Sequence, residues 1–103
     1  YSLSCGGPII FPDSANFVIT PIAPHNLNVR PIIVSDDDVI SFEVQGRVNS
    51  FLASLDSRSV PFESKIEMAV KRASHSFILL RFNEDNFLST LRKKLSWGND
   101  TRN

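Results

Sequence analysis

Asp56 is the residue whose type and position best suit chemistry. It is a carboxylate at the end of an apolar run, followed by Ser57, Arg58 and Ser59, in the kind of exposed position where loops carry function. The same residues can also make a plain turn, with Asp56 bonding nearby backbone and pairing with Arg58. Residue types alone leave these two readings level. His25 and His75 sit in different loops with no Cys or carboxylate at ligand spacing, which suits surface or structural histidines. Cys5 has no adjacent base and reads as a small apolar residue. Gly6-Gly7 forms neither a phosphate loop nor a dinucleotide fingerprint. Asp36-Asp37-Asp38 reads as a solvated acidic turn, because a cation site needs ligands from further away that the sequence does not show. Arg92-Lys93-Lys94 reads as a solvated face matching a helix C-terminus rather than as a phosphate or nucleic-acid patch.

The elements that must position these groups are mostly short strands. Tyr1 to Cys5 followed by Gly6-Gly7-Pro8 has the form of a helix end, with Gly taking the left-handed position and Pro stopping the helix. The start of that helix would then lie upstream. Pro12-Asp13-Ser14 is a turn. Phe17-Val18-Ile19-Thr20 is an unbroken apolar, β-branched run that suits a strand buried on both faces. A loop rich in Pro and Asn carries His25 and Arg30, and Pro31 to Val34 is the next strand. Val39 to Val44 alternates, with Ile40, Phe42 and Val44 on one face. Ser50 to Leu55 alternates as well, so Val39 to Leu55 is expected to be a hairpin turning at Gln45-Gly46-Arg47. Lys65 to Lys71 and Ser76 to Phe82 are the last two strands expected.

The C-terminal stretch changes period. Asn83 or Asn86 can cap a helix whose apolar face is Phe87, Leu88, Leu91 and Leu95, with Gly98 ending it. Strands separated by turns with no helix between them predict a mainly β fold, an antiparallel β-sandwich with a short C-terminal α-helix. At 103 residues the chain is one domain's worth. Its 11 basic and 11 acidic side chains cancel, leaving no global field to draw in nucleic acid or an anionic membrane. A single Cys excludes an internal disulfide framework and a zinc knuckle. No apolar run approaches a membrane span and no signal peptide is visible, so a soluble, cytoplasmic setting is expected.

Several stretches together resemble one family. Tyr1-Ser-Leu-Ser-Cys-Gly-Gly-Pro-Ile resembles the tail of the Gly-Ser-Thr-Ala-Tyr-Ser-Leu-Ser-Ala-Gly-Gly-Pro signature of the NAD kinases. Phe17 to Pro31 resembles that family's Thr-Pro-x-x-Pro-His-x-Leu-x-x-Arg-Pro block, and Leu55-Asp56-Ser57 its Asp-Gly or Asp-Ser element. Phe87 to Gly98 is similar to the bacterial C-terminal helix Thr-Leu-Arg-x-Lys-Leu-x-Trp-Gly. The resemblance runs the length of the chain, in order.

It implies an enzyme that moves the γ-phosphoryl of ATP, or of polyphosphate, to the 2′-hydroxyl of the NAD adenosine ribose. It further implies a divalent metal, usually Mg²⁺, a homo-oligomer (dimer or tetramer), and an N-terminal α/β domain bearing a Gly-Gly-Asp-Gly motif. Residues 1–103 would be the C-terminal domain of such an enzyme. By this resemblance Tyr1 matches the Tyr that packs on the NAD adenine, and Ser4 the Ser whose hydroxyl lies at the same site. Asp56 and Ser57 match the strand-end pair that reaches the dinucleotide, often from a neighbouring protomer. His25 and Arg30 match block residues expected to hold loop and interface geometry. Cys5 stands where Ala is commoner.

The Gly-Gly-Asp-Gly carboxylate, the Asn-Glu pair and the Gly-Ser-Thr before Tyr1 are absent from this sequence. The chain alone is therefore expected to hold no metal and to have no kinase activity. A competing reading is a non-catalytic β-sandwich interaction module. The two differ in whether Asp56 is brought near a Tyr1, its own or a neighbouring copy's. A lipid-kinase domain of related design is disfavoured by the Pro-His-x-Leu-x-x-Arg-Pro block.

Overall fold

The computed structural model describes residues 1–82 and 86–100. Its described elements begin with a single 3-10 turn, Leu3–Cys5. Six strands follow: β1 (Asn16–Ile19), β2 (Ile32–Ser35), β3 (Ile40–Glu43), β4 (Ser50–Leu55), β5 (Arg58–Glu63) and β6 (Glu67–Val70). One helix, α1 (Phe87–Leu95), closes the series. All pairing is antiparallel, so the class is the expected one: mainly β with a short helix near the C-terminus.

The pairing partners differ from the alternation-based expectation. β1 pairs with β2, Phe17 opposite Val34 and Val18 opposite Ile33. β3 pairs with β6, not with β4, and β4 turns directly into β5. Leu55 faces Arg58 across a two-residue turn, so the hairpin tip is Asp56-Ser57 rather than Gln45-Gly46-Arg47. Asp56 takes the left-handed conformation there, φ 52°. A short polar side chain tolerates that region better than most, and tight two-residue hairpin loops require it.

The two pairs β3–β6 and β4–β5 are successive segments of one long ribbon. Ser64 N donates to Asn49 O at 2.9 Å in the stretch between them. There the register slips: residues 44–49 on one side face residues 64–66 on the other, and Lys65 adopts φ 77°. Six residues opposite three make an irregular, multi-residue bulge that interrupts the ladder between the two segments. Within the outer segment Phe51 sits opposite Phe62, and their rings stack at 5.7 Å.

Two further expectations fail. Ser76 to Phe82 forms no strand, and its apolar side chains stand in the open, Phe77 at 94% exposure. An apolar run becomes a strand only where an edge is available to complete its hydrogen bonds. β1 is not covered on both faces either: Phe17 and Val18 are half-buried and Ile19 is exposed.

Close backbone contact between strands is confined to the three paired ladders, while Phe17, Val18 and Ile19 of β1 line a common recess with Ile40, Ser41 and Phe42 of β3 and Val70 of β6. The radius of gyration is 17.6 Å, where a compact chain of this length has about 13 Å. Among the described residues Leu91, at 8% exposure, is the one buried apolar side chain. Helix α1 supplies it. Asn86 caps the helix by accepting from Ser89 N at 2.8 Å, while Asn83 lies outside the described residues. Phe87 packs on Phe11, ring centroids 4.9 Å apart, and Leu88 and Leu95 remain exposed. The helix ends earlier than Gly98: Ser96 takes the left-handed cap position, φ 53° and ψ 26°.

Candidate functional site

The N-terminal turn is built by its backbone. Cys5 N donates to Ser2 O at 3.1 Å, Gly6 N to Leu3 O at 3.1 Å, and Gly7 N to Ser2 O at 2.7 Å. The last two form the six-to-one and five-to-two bonds of a Schellman motif, with Gly6 at φ 80° supplying the left-handed residue. A helix end is thus present where expected. Gly7 is required for a different reason: a Cβ there would fall on Ser2 Oγ and lie 2.7 Å from the Ser2 carbonyl oxygen.

This turn faces the end of β1. Tyr1, Ser2, Cys5, Val18, Thr20 and Ile22 line a recess of about 220 Å³. Ser2 Oγ lies 2.6 Å from Thr20 Oγ1, a partly buried hydrogen bond between the turn and the residue after the strand. The mouth is open, for the Tyr1 ring is fully exposed. The walls are apolar carbons, a phenol, a thiol and two hydroxyls, suited to a flat ring with a polar rim.

The sequence-selected residues are distributed unevenly around it. Tyr1 lines the recess, and Ser4 is an exposed residue of the same turn. Asp56 and Ser57 form the exposed tip of the long ribbon and are not among the lining residues. Arg30 bonds its own loop, its Nη1 donating to Leu27 O at 2.6 Å and to Val29 O at 2.9 Å. That loop is also closed by Asn28 N donating to Asn26 Oδ1 at 2.9 Å. His25 is exposed in it. His75 packs edge-on to Phe77, centroids 6.1 Å apart.

Two features escaped the residue-type reading. One is the Ser2–Thr20 pair, whose partners lie 18 positions apart with no local pattern joining them. The other is the acidic turn, which is not simply solvated. Arg72 Nη1 contacts Asp36 Oδ2 at 3.1 Å and Arg72 Nη2 contacts Asp37 Oδ1 at 3.0 Å. The Asp36 side chain is only 16% exposed, and its backbone N donates to Ala15 O at 3.1 Å. The arginine beyond β6 thereby clamps the β1–β2 ribbon. Among the described residues no three His, Cys, Asp or Glu side chains converge as metal donors, and no helix is long and apolar enough to cross a membrane.

Comparison with known proteins bears on this arrangement. The family model described as "ATP-NAD kinase C-terminal domain" matches residues 1–82. The NAD kinase of Cytophaga hutchinsonii is 53% identical over 103 residues, all of this chain and 35% of the relative. That of Christiangramia forsetii is 50% identical over the same length and share. A Porphyromonas gingivalis NAD kinase is 48% identical over 98 residues, 95% of this chain and 34% of the relative. The chain belongs to the ATP-NAD kinase C-terminal domain family. In particular it is similar to NAD kinases, and spans about a third of the length of those curated relatives.

Proposed function

We propose that this chain is the C-terminal part of an enzyme that phosphorylates NAD to NADP, and that it supplies the adenosine side of the NAD site. In that reaction the 2′-hydroxyl oxygen of the adenosine ribose bonds to the γ-phosphorus of ATP, or to a terminal phosphorus of polyphosphate. The bond to the leaving oxygen breaks, and the hydroxyl proton passes to a base. Phosphoryl transfer depends on positioning and on electrostatic stabilisation. The base, the phosphate-holding loop and the residues holding a divalent cation such as Mg²⁺ are assigned to the rest of the enzyme. No step through the metal is assigned to these residues.

The observation that carries the reading is that the Tyr-Ser-Leu-Ser turn and the Thr-Pro block, 18 positions apart from Ser2 to Thr20, meet in one recess. Tyr1 would stack on the adenine and Ser4 would present its hydroxyl beside it. Asp56 and Ser57 would reach the ribose from the hairpin tip. Their place outside the recess suits delivery to a neighbouring protomer's site in a homo-oligomer, as do the exposed apolar faces of the ribbons. The setting would be the cytoplasm, where both substrates occur.

The test uses the full-length enzyme carrying this segment and, separately, the 103-residue chain. The full-length enzyme is expected to form NADP from NAD, with Tyr1→Ala and Asp56→Asn each raising the KM for NAD tenfold or more, an order-of-magnitude expectation for a lost ring or charged contact. The isolated chain is expected to form none. NADP production by the purified chain, or unchanged NAD dependence in both variants, would refute the assignment.

A further inference from the structure

We propose that Thr20 is a positioning residue of the dinucleotide site, holding the Tyr1–Ser4 turn in register with β1 through the hydroxyl of Ser2. The inference rests on the reading that Tyr1 and Ser4 contact NAD.

The turn's backbone hydrogen bonds among the described residues are internal to it. Its Schellman bonds run from Gly6 and Gly7 back to Leu3 and Ser2, so they fix its internal shape without orienting it. The orientation comes from a side chain: Ser2 Oγ meets Thr20 Oγ1 at 2.6 Å, partly shielded from water. A short hydroxyl pair of this kind constrains both direction and distance.

Thr20 is well fixed to act as the anchor. It directly follows β1, whose residues are held by the ladder to β2. Pro21 comes next, and the residue before a proline is restricted to extended backbone. Within the turn Ser2 packs directly on Gly7, since Ser2 occupies the space a Gly7 Cβ would need. Gly7 therefore allows the close approach that brings the Ser2 hydroxyl to Thr20. Both hydroxyls lie in the wall of the recess between Tyr1 and Ile22. Losing the bond removes the side-chain restraint that ties the turn to the end of β1, so Tyr1 and Ser4 are less closely held in place. The consequence is weaker NAD binding with the phosphoryl-donor side untouched.

The experiment compares Thr20→Val, which removes the hydroxyl at constant shape, with Thr20→Ser, Ser2→Ala and the double variant Ser2→Ala/Thr20→Val in the full-length enzyme. Thr20→Val is expected to raise the KM for NAD about fivefold to tenfold, the loss of one net hydrogen bond, with the KM for ATP unchanged. Thr20→Ser restores the parent value. Ser2→Ala reproduces the Thr20→Val effect, and the double variant is no worse than either single one. Where Thr20→Val fails to fold, Ser2→Ala and Thr20→Ser decide. A parental KM for NAD in Thr20→Val and Ser2→Ala overturns the proposal, as do additive effects or parallel rises in both KM values. If Tyr1→Ala also leaves NAD binding unchanged, the site assignment itself has failed. If Tyr1→Ala weakens it while the hydroxyl variants do not, only the positioning role is lost.

Discussion

The clamp between Arg72 and the acidic turn makes a prediction that can be worked from its geometry. Arg72 touches two carboxylates at nearly equal distance, 3.1 Å to Asp36 and 3.0 Å to Asp37. Distance alone would rank them equal. Burial does not: Asp37 is 76% exposed, Asp36 is 16% exposed, and Asp36 Oδ1 is sealed from solvent without a hydrogen-bond partner. An exposed pair contributes less than about 1 kcal/mol and is screened by salt. Breaking a fully buried pair costs about 3–5 kcal/mol. Because the Arg72 side chain is 58% exposed, the Asp36 pair falls between these limits, at about 1–2 kcal/mol after discounting for solvent. The Asp37 pair falls below about 0.5 kcal/mol. The assay is a pair of double-mutant cycles, Asp36→Asn with Arg72→Gln and Asp37→Asn with Arg72→Gln, followed by urea unfolding of the full-length protein. The Asp36 coupling should be severalfold the larger and should persist in 0.5 M salt, an ionic strength of roughly 4–5 Å screening length. Equal couplings, or loss of both in salt, would show that burial does not set the strength of this clamp.

Glu43 and Glu67 stand directly opposite each other on β3 and β6, where like charges are unfavourable. Glu67→Lys should stabilise by about 0.2–1 kcal/mol, read as a raised urea midpoint whose gain shrinks with salt; an unchanged midpoint would contradict the register. Ser96 holds the left-handed cap of α1, so Ser96→Gly should stabilise the helix end by about 1 kcal/mol. Slower amide exchange across Phe87–Leu95 is the signature, and faster exchange would argue against the strained cap.

Strand positions were largely legible in the chain, because alternation and β-branching report which residues can lie on a pleated face. Asn16–Ile19, Ile32–Ser35, Ile40–Glu43, Ser50–Leu55 and Glu67–Val70 fall within a residue or two of expectation. Strand β5 did not stand out, because Asp56-Ser57-Arg58-Ser59 read as residues following a strand end. The candidate residues Tyr1, Ser4, Asp56 and Ser57 were marked as a site only by resemblance to a family, and of these Tyr1 lines the recess. Thr20 and Arg72 were not marked, since nothing local to either residue names a partner far along the chain.

The amino-acid sequence by itself determined the class, most strand positions and the family, and narrowed the N-cap of the helix to Asn83 or Asn86. Its motifs sufficed because backbone propensity, capping and signature residues all act over a few neighbouring positions. Only the tertiary structure decided which strands pair, and that Asp56-Ser57 rather than Gln45-Gly46 closes the ribbon. Period-two alternation is the same whichever edge a strand meets, so partner and register are settled by long-range hydrogen bonding. The same holds at the N-terminus. The sequence shows a helix end with two hydroxyls and a Gly pair, while the fold turns one of those hydroxyls onto Thr20 and makes the helix end the wall of a recess.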